Sequence, residues 1–430
     1  GVSSAASDVY KRQALSSIVT IVLSMSTQKM VKENAIIKNL NSVESLGCVS
    51  VICSDKTGTL TQNKMTPQTI YVYNQLLEIK DLDSHNHDHN VLLKACLLCN
   101  NSVINGEQRI GDPTELALID LVNAHTQNDT SFKNTAIRKS ELPFDSDRKL
   151  MSISSLNHIY TKGAPDVILQ RCSTILINGH KEILSKRHMD AIVAKNQEYA
   201  NEGLRVLGFA YKDYKGTQVT LDDEHDLTFI GLISLMDPPR EESGDAVAKC
   251  KMAGIKPIMI TGDHVVTARS IAKKIGIYED GDLSIEGQQL EKMSETELDE
   301  KLTRISVYAR VAPEHKIRIV KAWQKRGDIV AMTGDGVNDA PALKQSDIGV
   351  AMGITGTEVS KDAASMILTD DNFSTIVKAV ITGRNVYRNI KNSINYLLSG
   401  NFAGIICVFI ASLLLLPTPF FPVPVSYTHL

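Results

Sequence analysis

The chain has 430 residues, of which 46 are basic and 49 acidic, and a formal net charge of −3. This length suffices for about three domains with hydrophobic cores of their own, and the near balance of charge gives no reason to expect a nucleic acid partner. Seven dispersed cysteines exclude a disulfide framework and favour a reducing, cytosolic compartment. The isolated pair Cys96 and Cys99 is separated by leucines, which favours core packing over a metal or redox site.

The two ends of the chain do not match the sequence beside them. Residues 1–13 place two cations directly before an apolar stretch, and residues 426–430 interrupt an apolar loop. Both resemble translated sequencing-adaptor segments. We therefore expect the natural chain to begin at Ala14 and to end near Val425, as an internal part of a larger protein.

The first predicted elements are an apolar helix end and a buried strand. Residues 14–27 are apolar but too short to cross a membrane alone, so we expect them to end a transmembrane helix. Residues 28–64 then form the first part of a discontinuous α/β domain. Within it, the β-rich run 49–54 leads directly into Asp55.

The residues after this strand indicate phosphoryl transfer. Asp55 is followed by Lys56, Thr57 and Gly58. A carboxylate in this position can attack a phosphorus atom, while a cation and backbone amides stabilise charge on the equatorial oxygens. We predict Asp55 as the nucleophile, assisted by Lys56 and Thr57.

An inserted domain is expected over residues 65–235. Helical stretches at 91–100, 114–124 and 186–201 alternate there with strand-like runs at 68–73, 151–155, 204–210 and 228–233. This segment is too long for a loop and long enough for a domain. Its joints are predicted at 62–67 and at Asp237-Pro238-Pro239-Arg240, where two prolines restrict the backbone.

Residues 236–370 are expected to complete the first domain. The strand-like runs 255–260, 328–333 and 347–352 alternate with helical patterns at 241–253 and 312–326, which predicts a parallel sheet. Polar turns containing glycine follow the first two of these runs. Ligands bind at the carboxyl ends of parallel strands, so these turns are expected to meet near Asp55.

The two turns supply the remaining groups that phosphoryl transfer needs. In Thr261-Gly262-Asp263, the threonine and the backbone around the glycine are suited to hold phosphate oxygens, and Lys316 is a candidate second cation. Asp335 is the best candidate for a Mg²⁺ ligand, together with Asp55 and the Thr57 carbonyl. Asn338 and Asp339 are expected to support the phosphate and the metal.

The chain ends in a predicted membrane segment. Residues 392–430 contain no lysine, arginine, aspartate or glutamate. We predict a stalk over 371–394, a transmembrane helix over 395–416 and a membrane loop over 417–425.

In these motifs the chain resembles the P-type cation-transporting ATPases, from Ala14 to Val425. Asp55 to Thr61 matches the family's phosphorylation signature, Thr261 to Asp263 its second phosphate motif and Thr333 to Asp339 its Mg²⁺ motif. The resemblance implies a haloacid-dehalogenase-like parallel-sheet phosphorylation domain with an inserted α+β nucleotide-binding domain, flanked by partial transmembrane helices. It also implies ATP and Mg²⁺ as cofactors and a multi-pass protein of the cell membrane, with residues 28–394 in the cytoplasm.

The same resemblance implies a nucleotide site. Residues 162–166 (Lys-Gly-Ala-Pro-Asp) match the family's lysine motif, with Asp166 where glutamate is usual. The remaining positions implied are Phe144, stacked on adenine, and a group around the nucleotide: Glu115, Lys149, Lys162, Gly163 and Arg205.

The motifs resemble those of type II pumps, which include calcium and sodium/potassium pumps. Asn401 matches an ion-coordinating asparagine of calcium-type pumps, whereas Gly404 stands where they usually have glutamate. This favours Ca²⁺ or a similar divalent ion such as Mn²⁺, with fewer ligands than usual. A pump for Na⁺, K⁺ or H⁺ remains an alternative, as does a soluble aspartate-nucleophile phosphatase. A module that only binds nucleotide would have no need of Asp55.

Overall fold

The computed structural model describes residues 19–72, 75–105, 108–126 and 137–417. These residues form two compact units. The first contains 19–53, 252–256 and 317–417, and the second contains 54–251 and 257–316. The expected adaptor segments, the start of the first apolar helix and the loop residues 418–425 lie outside the described residues.

The strands in the described residues are β1 (Ala35–Ile37), β2 (Val51–Asp55), β3 (Thr66–Val72), β4 (Gln75–Glu78), β5 (Val103–Asn105), β6 (Gln108–Ile110), β7 (Arg138–Asp145), β8 (Leu150–Ser155), β9 (His158–Gly163), β10 (Cys172–Ile177), β11 (His180–Ile183), β12 (Arg205–Asp213), β13 (Leu227–Met236), β14 (Lys256–Ile260), β15 (Leu283–Glu286), β16 (Ile305–Ala309), β17 (Val330–Gly334), β18 (Ile348–Met352) and β19 (Met366–Leu368).

The helices in the described residues are α1 (19–32), α2 (Asn41–Cys48), α3 (His87–Leu98), α4 (Pro113–Thr126), α5 (Pro165–Gln170), α6 (Lys186–Asn201), α7 (Ser243–Met252), α8 (Val265–Lys274), α9 (Gly287–Lys292), α10 (Glu295–Leu302), α11 (Pro313–Lys325), α12 (Ala340–Gln345), α13 (Glu358–Ala363) and α14 (Phe373–Leu413).

The first unit is built on a mainly parallel sheet. β18 pairs in parallel with β17 and β19, β17 pairs in parallel with β2, and β1 adds an antiparallel edge. Cys53 lies opposite Met332 in the pairing of β2 with β17. Both strands are buried along their length apart from Asp55, as expected when elements cover both faces of a parallel sheet.

The second unit contains a large, mainly antiparallel sheet, with strand order β11-β10-β13-β12-β9-β8-β7 and with β3 and β4 attached through β13. All ten residues of β13 are buried. Side chains alternate across the strand, so Ile230 joins the core formed with α3 and α4, while Phe229 joins the core formed with α5 and α6. The same unit also contains the parallel pairs β14–β16 and β15–β16.

The protein is therefore a mixed α/β protein with both parallel and antiparallel sheets, as the sequence predicts. The four strands predicted around the polar turns are present to within two residues at each end. The domain boundaries remain predictions. Cys96 and Cys99 are fully buried, and burial raises the pKa of the Cys99 thiol to about 12, which suits the predicted core role.

One predicted helix boundary is wrong, that of α3. The first helix continues through residue 32. Helix α3 begins four residues before the predicted start, because the Asn86 side chain caps it by accepting hydrogen bonds from the amides of Asp88 and His89. The predicted stalk and membrane segment form one uninterrupted helix, α14. In the described part of the chain, α14 is the one helix long and apolar enough to cross a membrane.

Helix α14 contacts α2 through two glycines. A Cβ atom at Gly47 would lie 2.8 Å from the carbonyl carbon of Gly383, and one at Gly383 would lie 2.7 Å from the backbone nitrogen of Gly47. Real Cβ atoms do not approach backbone so closely, so this helix contact requires glycine on both sides.

We predict that Gly383→Ala destabilises the first unit by about 1–3 kcal/mol, the usual range for overpacking a close contact. Thermal unfolding followed by circular dichroism measures the effect. Gly400→Ala is the matched control in the same helix, because no heavy atom lies within 4 Å of its Cβ position. Equal melting temperatures for the two variants would contradict the prediction.

Candidate active site

Asp55 is paired with a lysine that lies far away in the sequence. It ends the buried strand β2, and its carboxylate Oδ2 accepts a hydrogen bond from Lys316 Nζ at 2.6 Å. The side chains are 13% and 10% exposed, respectively. Lys316 lies in the first turn of α11, which Pro313 begins. The structure thus places the predicted nucleophile beside the predicted second cation.

A second lysine lies beside two further carboxylates. Lys56, only 5% exposed, donates a hydrogen bond to Asp263 Oδ2 at 2.6 Å, and its Nζ lies 3.9 Å from Asp237 Oδ2. Ion pairs with little solvent around them are screened weakly, and each partner depends on the other for compensation of its charge. The turn after β2 therefore carries a cation fixed by two separate segments.

The returning segment 237–243 holds the turn that follows Asp55. The Gly58 carbonyl accepts a hydrogen bond from Arg240 Nη2 at 3.0 Å, and the Leu60 carbonyl accepts one from Ser243 Oγ at 2.9 Å. Thr61 Oγ1 donates to Asp237 Oδ2. Gly58 has a φ of 74°, a conformation that glycine adopts without strain. The joint predicted at 237–240 thus also determines the shape of the nucleophile's turn.

The Thr261-Gly262-Asp263 turn leaves backbone accessible. Thr261 Oγ1 accepts a hydrogen bond from the Asp263 amide at 3.1 Å. Among the described residues, no heavy atom lies within 4 Å of the Cβ position of Gly262. The space around this glycine is therefore open to a ligand such as a phosphate group.

The predicted metal ligands of the first unit share one compact turn after β17. The amides of Asp335 and Gly336 both donate to Asp339 Oδ2, at 3.2 and 3.0 Å. A Cβ at Gly334 would lie 2.4 Å from the Asp339 Cβ, so this close approach needs glycine. Asp335 is partly exposed, Asp339 is buried and Asn338 is exposed.

The predicted nucleotide residues Lys162 and Glu115 form an ion pair. Lys162 Nζ donates to Glu115 Oε1 at 2.8 Å, and the other oxygen, Oε2, accepts hydrogen bonds from the Asn101 amide and Ser102 Oγ. Burial alone would raise the pKa of Glu115, but the hydrogen bond and charge of Lys162, with these two donors, lower it overall. The carboxylate is therefore held in its ionised form.

Other predicted nucleotide residues surround this pair. Arg205 Nη1 donates to Thr114 Oγ1, next to Glu115 in sequence, at 2.7 Å. The Lys149 carbonyl accepts a hydrogen bond from the Ala164 amide at 3.1 Å, and a Cβ at Gly163 would lie 2.2 Å from that same carbonyl oxygen. Phe144 is 59% exposed, which leaves its ring accessible.

The second unit contains a cavity of about 550 Å³ that Lys56, Thr57 and Asp263 line together with Arg205. Of the predicted nucleotide residues, Arg205 alone is among the lining residues. A volume of this size is typical of small-molecule sites.

The sequence analysis did not assign a role in the site to Asp237, Arg240 or Thr114. The motif at 237–240 was interpreted only as a joint, because its two prolines dominate the local pattern. The available signal for Asp237 was an aspartate expected to be buried beside the turn that follows Asp55. Asn401 lies within α14, as expected for a membrane-segment residue.

The Asp55–Lys316 pair at the end of a buried strand lies in the same unit as the large antiparallel sheet. Residues 88–242 match the family model described as the P-type ATPase cytoplasmic domain N. Over 97% of its length the chain is 49% identical to calcium-transporting ATPase 1 of Bacillus cereus and 50% identical to calcium-transporting ATPase 1 of Lactococcus lactis, covering 48% of each. It is also 39% identical to the sodium/potassium-transporting ATPase alpha subunit of Drosophila melanogaster, with 91% of the chain and 44% of that protein aligned.

The chain belongs to the type II P-type cation-transporting ATPases. It spans about half the length of the curated relatives that it matches.

We predict that Glu115→Gln lowers stability at pH 7 by about 1–3 kcal/mol, because it removes a charged hydrogen-bond acceptor from Lys162. A lowered pKa stabilises the fold fully above the unfolded value, near 4.5, and this contribution is lost as the pH falls through the folded value. The difference from the wild type should therefore shrink below about pH 4.5. Thermal unfolding from pH 7 to 3.5 measures it.

Glu198→Gln serves as the control for this experiment, because Glu198 pairs with Lys195 while remaining 55% exposed. A difference between wild type and Glu115→Gln that does not change with pH would contradict the assignment.

Proposed function

We propose that this chain carries the ATP-hydrolysing machinery of a membrane cation pump that works through an aspartyl phosphate. The observation that carries the proposal is the Asp55–Lys316 pair at the carboxyl end of a buried strand. Lys316 neutralises the attacking carboxylate and can move to the incoming phosphoryl oxygens without leaving the site. Positioning and charge neutralisation are the main requirements of phosphoryl transfer.

In the proposed reaction, an Asp55 oxygen forms a bond to the γ-phosphorus of ATP. The bond from that phosphorus to the β–γ bridging oxygen breaks, and ADP leaves. Lys56, fixed by Asp263 and Asp237, and Lys316 would stabilise charge on the transferred group. The backbone around Gly262 is open for its equatorial oxygens. Later attack by water on the acyl phosphate would release inorganic phosphate and restore Asp55.

We infer from ligand chemistry that the residues after β2 and β17 suit Mg²⁺. Asp55 ends β2, and Asp335 directly follows β17. Their carboxylates, with the Thr57 carbonyl, are the hard oxygen ligands that Mg²⁺ prefers, while Asp339 and Asn338 support the turn and phosphate. When bound, Mg²⁺ would neutralise phosphate charge and orient the oxygens.

The ATP base and phosphates would bind to the inserted sheet domain. The exposed ring of Phe144 is available to stack on adenine, and Lys162 and Lys149 supply cations. Arg205 lines the same cavity as Lys56 and Thr57, which supports a path from the nucleotide site to the phosphorylation turn. Closure of the inserted domain about the joints at 62–67 and 237–240 would complete the transfer.

The proposed cargo is Ca²⁺ or a similar divalent ion. The proposal is supported by the calcium-transporting relatives at 49% and 50% identity, with Asn401 in α14 as a candidate ligand in the predicted membrane segment. Transport of Na⁺ and K⁺ is the second candidate, favoured by the 39% identity to the Drosophila protein. A soluble phosphatase would need neither the inserted nucleotide domain nor the apolar end of α14.

We predict that Asp55→Asn abolishes labelling of the protein by γ-labelled ATP in the presence of Mg²⁺, because the amide oxygen cannot form the acyl phosphate. The wild type should give a phosphoprotein that hydroxylamine cleaves. Asp280→Asn is a matched control, since Asp280 is 97% exposed, and it should label normally. Hydroxylamine-sensitive label persisting in Asp55→Asn would refute the nucleophile.

We predict that Phe144→Leu weakens ATP binding by about 1–3 kcal/mol, the usual contribution of one aromatic–base stack. Isothermal titration calorimetry on the complete chain measures the affinity. Leu156→Ala, at another exposed apolar position, should bind ATP as the wild type does. Unchanged affinity in Phe144→Leu would place the base elsewhere.

A further inference from the structure

One fully buried carboxylate is not among the residues of the candidate active site. Glu224 is 0% exposed, in the segment just before β13. Its Oε1 accepts hydrogen bonds from Ser152 Oγ at 2.5 Å and from Arg148 Nη1, and its Oε2 accepts one from Arg171 Nη1 at 3.1 Å. Burying a carboxylate is costly, and paired guanidinium groups offset that cost. Glu224, Ser152, Arg148 and Arg171 thus form a buried hydrogen-bonded cluster.

Arg148 connects Glu224 to loop 143–149, which consists of the last three residues of β7, Phe144 among them, and the turn 146–149 that leads into β8. Its Nη2 donates to the Pro143 carbonyl at 2.5 Å, and its backbone amide donates to Asp145 Oδ1 at 2.8 Å. The residues immediately before and after Phe144 are therefore both hydrogen-bonded to the same arginine. This leaves the Phe144 ring exposed on a backbone that is fixed on both sides.

The same loop ends at Lys149. The Lys149 amide donates to the Asp145 carbonyl at 2.6 Å, and Lys149 has a φ of 56°, unusual for a residue with a side chain. Its carbonyl accepts the Ala164 amide hydrogen bond that joins this loop to the strand end carrying Lys162. Loop 143–149 thus connects the buried cluster to three predicted nucleotide residues.

We propose that Glu224 is a positioning residue for the nucleotide. Through Arg148, it holds loop 143–149 in the conformation in which Phe144 receives the base and the Lys149 carbonyl is bonded to the Ala164 amide. A loop ordered before binding loses less conformational entropy when the ligand arrives. This inference rests on the proposed function, because it assumes that ATP binds at Phe144.

Arg148 and Arg171 provide a matched pair for the test. Both donate to Glu224, but Arg148 also donates to Pro143, whereas Arg171 follows the end of α5. ATP affinity of the complete chain is measured by calorimetry at a temperature well below unfolding. We expect Arg148→Met and Glu224→Gln to weaken ATP binding about tenfold and Arg171→Met less than twofold, since a tenfold change corresponds to about 1.4 kcal/mol.

A purely structural role would give another pattern. The Arg148→Met and Arg171→Met variants would then lose thermal stability alike and keep wild-type ATP affinity. A double-mutant cycle adds a second readout. If Glu224 acts through Phe144, Glu224→Gln should cost less than twofold in affinity when introduced into Phe144→Leu.

The outcomes separate this inference from the proposed function. A wild-type chain that does not bind ATP, or that binds equally well after Phe144→Leu, refutes the nucleotide site itself. A wild type that binds, with Phe144→Leu weakened and Arg148→Met unchanged, refutes only the role of Glu224. Should Glu224→Gln fail to fold, Arg148→Lys decides the question, because it keeps the charge beside Glu224 while removing the second donor to Pro143.

Discussion

The site depends on two lysines held beside carboxylates where water has little access. Lys316 lies against Asp55, and Lys56 lies against Asp263 and Asp237. At low exposure, removing one member of such a pair leaves its partner's charge uncompensated. The segments that supply these residues are far apart in sequence, so the pairs form only where the fold brings those segments together.

Carboxylates paired with cations also occur around the predicted nucleotide residues. Glu115 is kept ionised by Lys162, and Glu224 lies between two arginines. Phe144, by contrast, projects its apolar ring toward solvent. A single exposed aromatic ring is ordinary on a protein surface, and here it leaves the ring accessible to a ligand.

Local patterns were sufficient to predict the strand before Asp55 and the glycine turns, while the inserted domain stays a prediction. These features depend on neighbouring residues, and the helix Lys186–Asn201 was predicted to the residue. Asp237 was missed as a partner of Lys56 because its importance comes from a contact across 181 positions, which no spacing rule encodes. Glu224 was missed for the same reason. The division of α14 into a stalk and a membrane segment stays a prediction, because a change from polar to apolar composition does not interrupt backbone hydrogen bonding.

The continuity of α14 has a mechanical consequence. At about 1.5 Å per residue, its 41 residues form a rod roughly 60 Å long. With no break along its length, the helix cannot absorb motion by bending at a hinge. A tilt of only about 5° at its Asn372 end would displace the far end by about 5 Å, on the order of one helical turn. The glycine contact between Gly47 and Gly383 lies close to that end, so the helix would tilt about this contact.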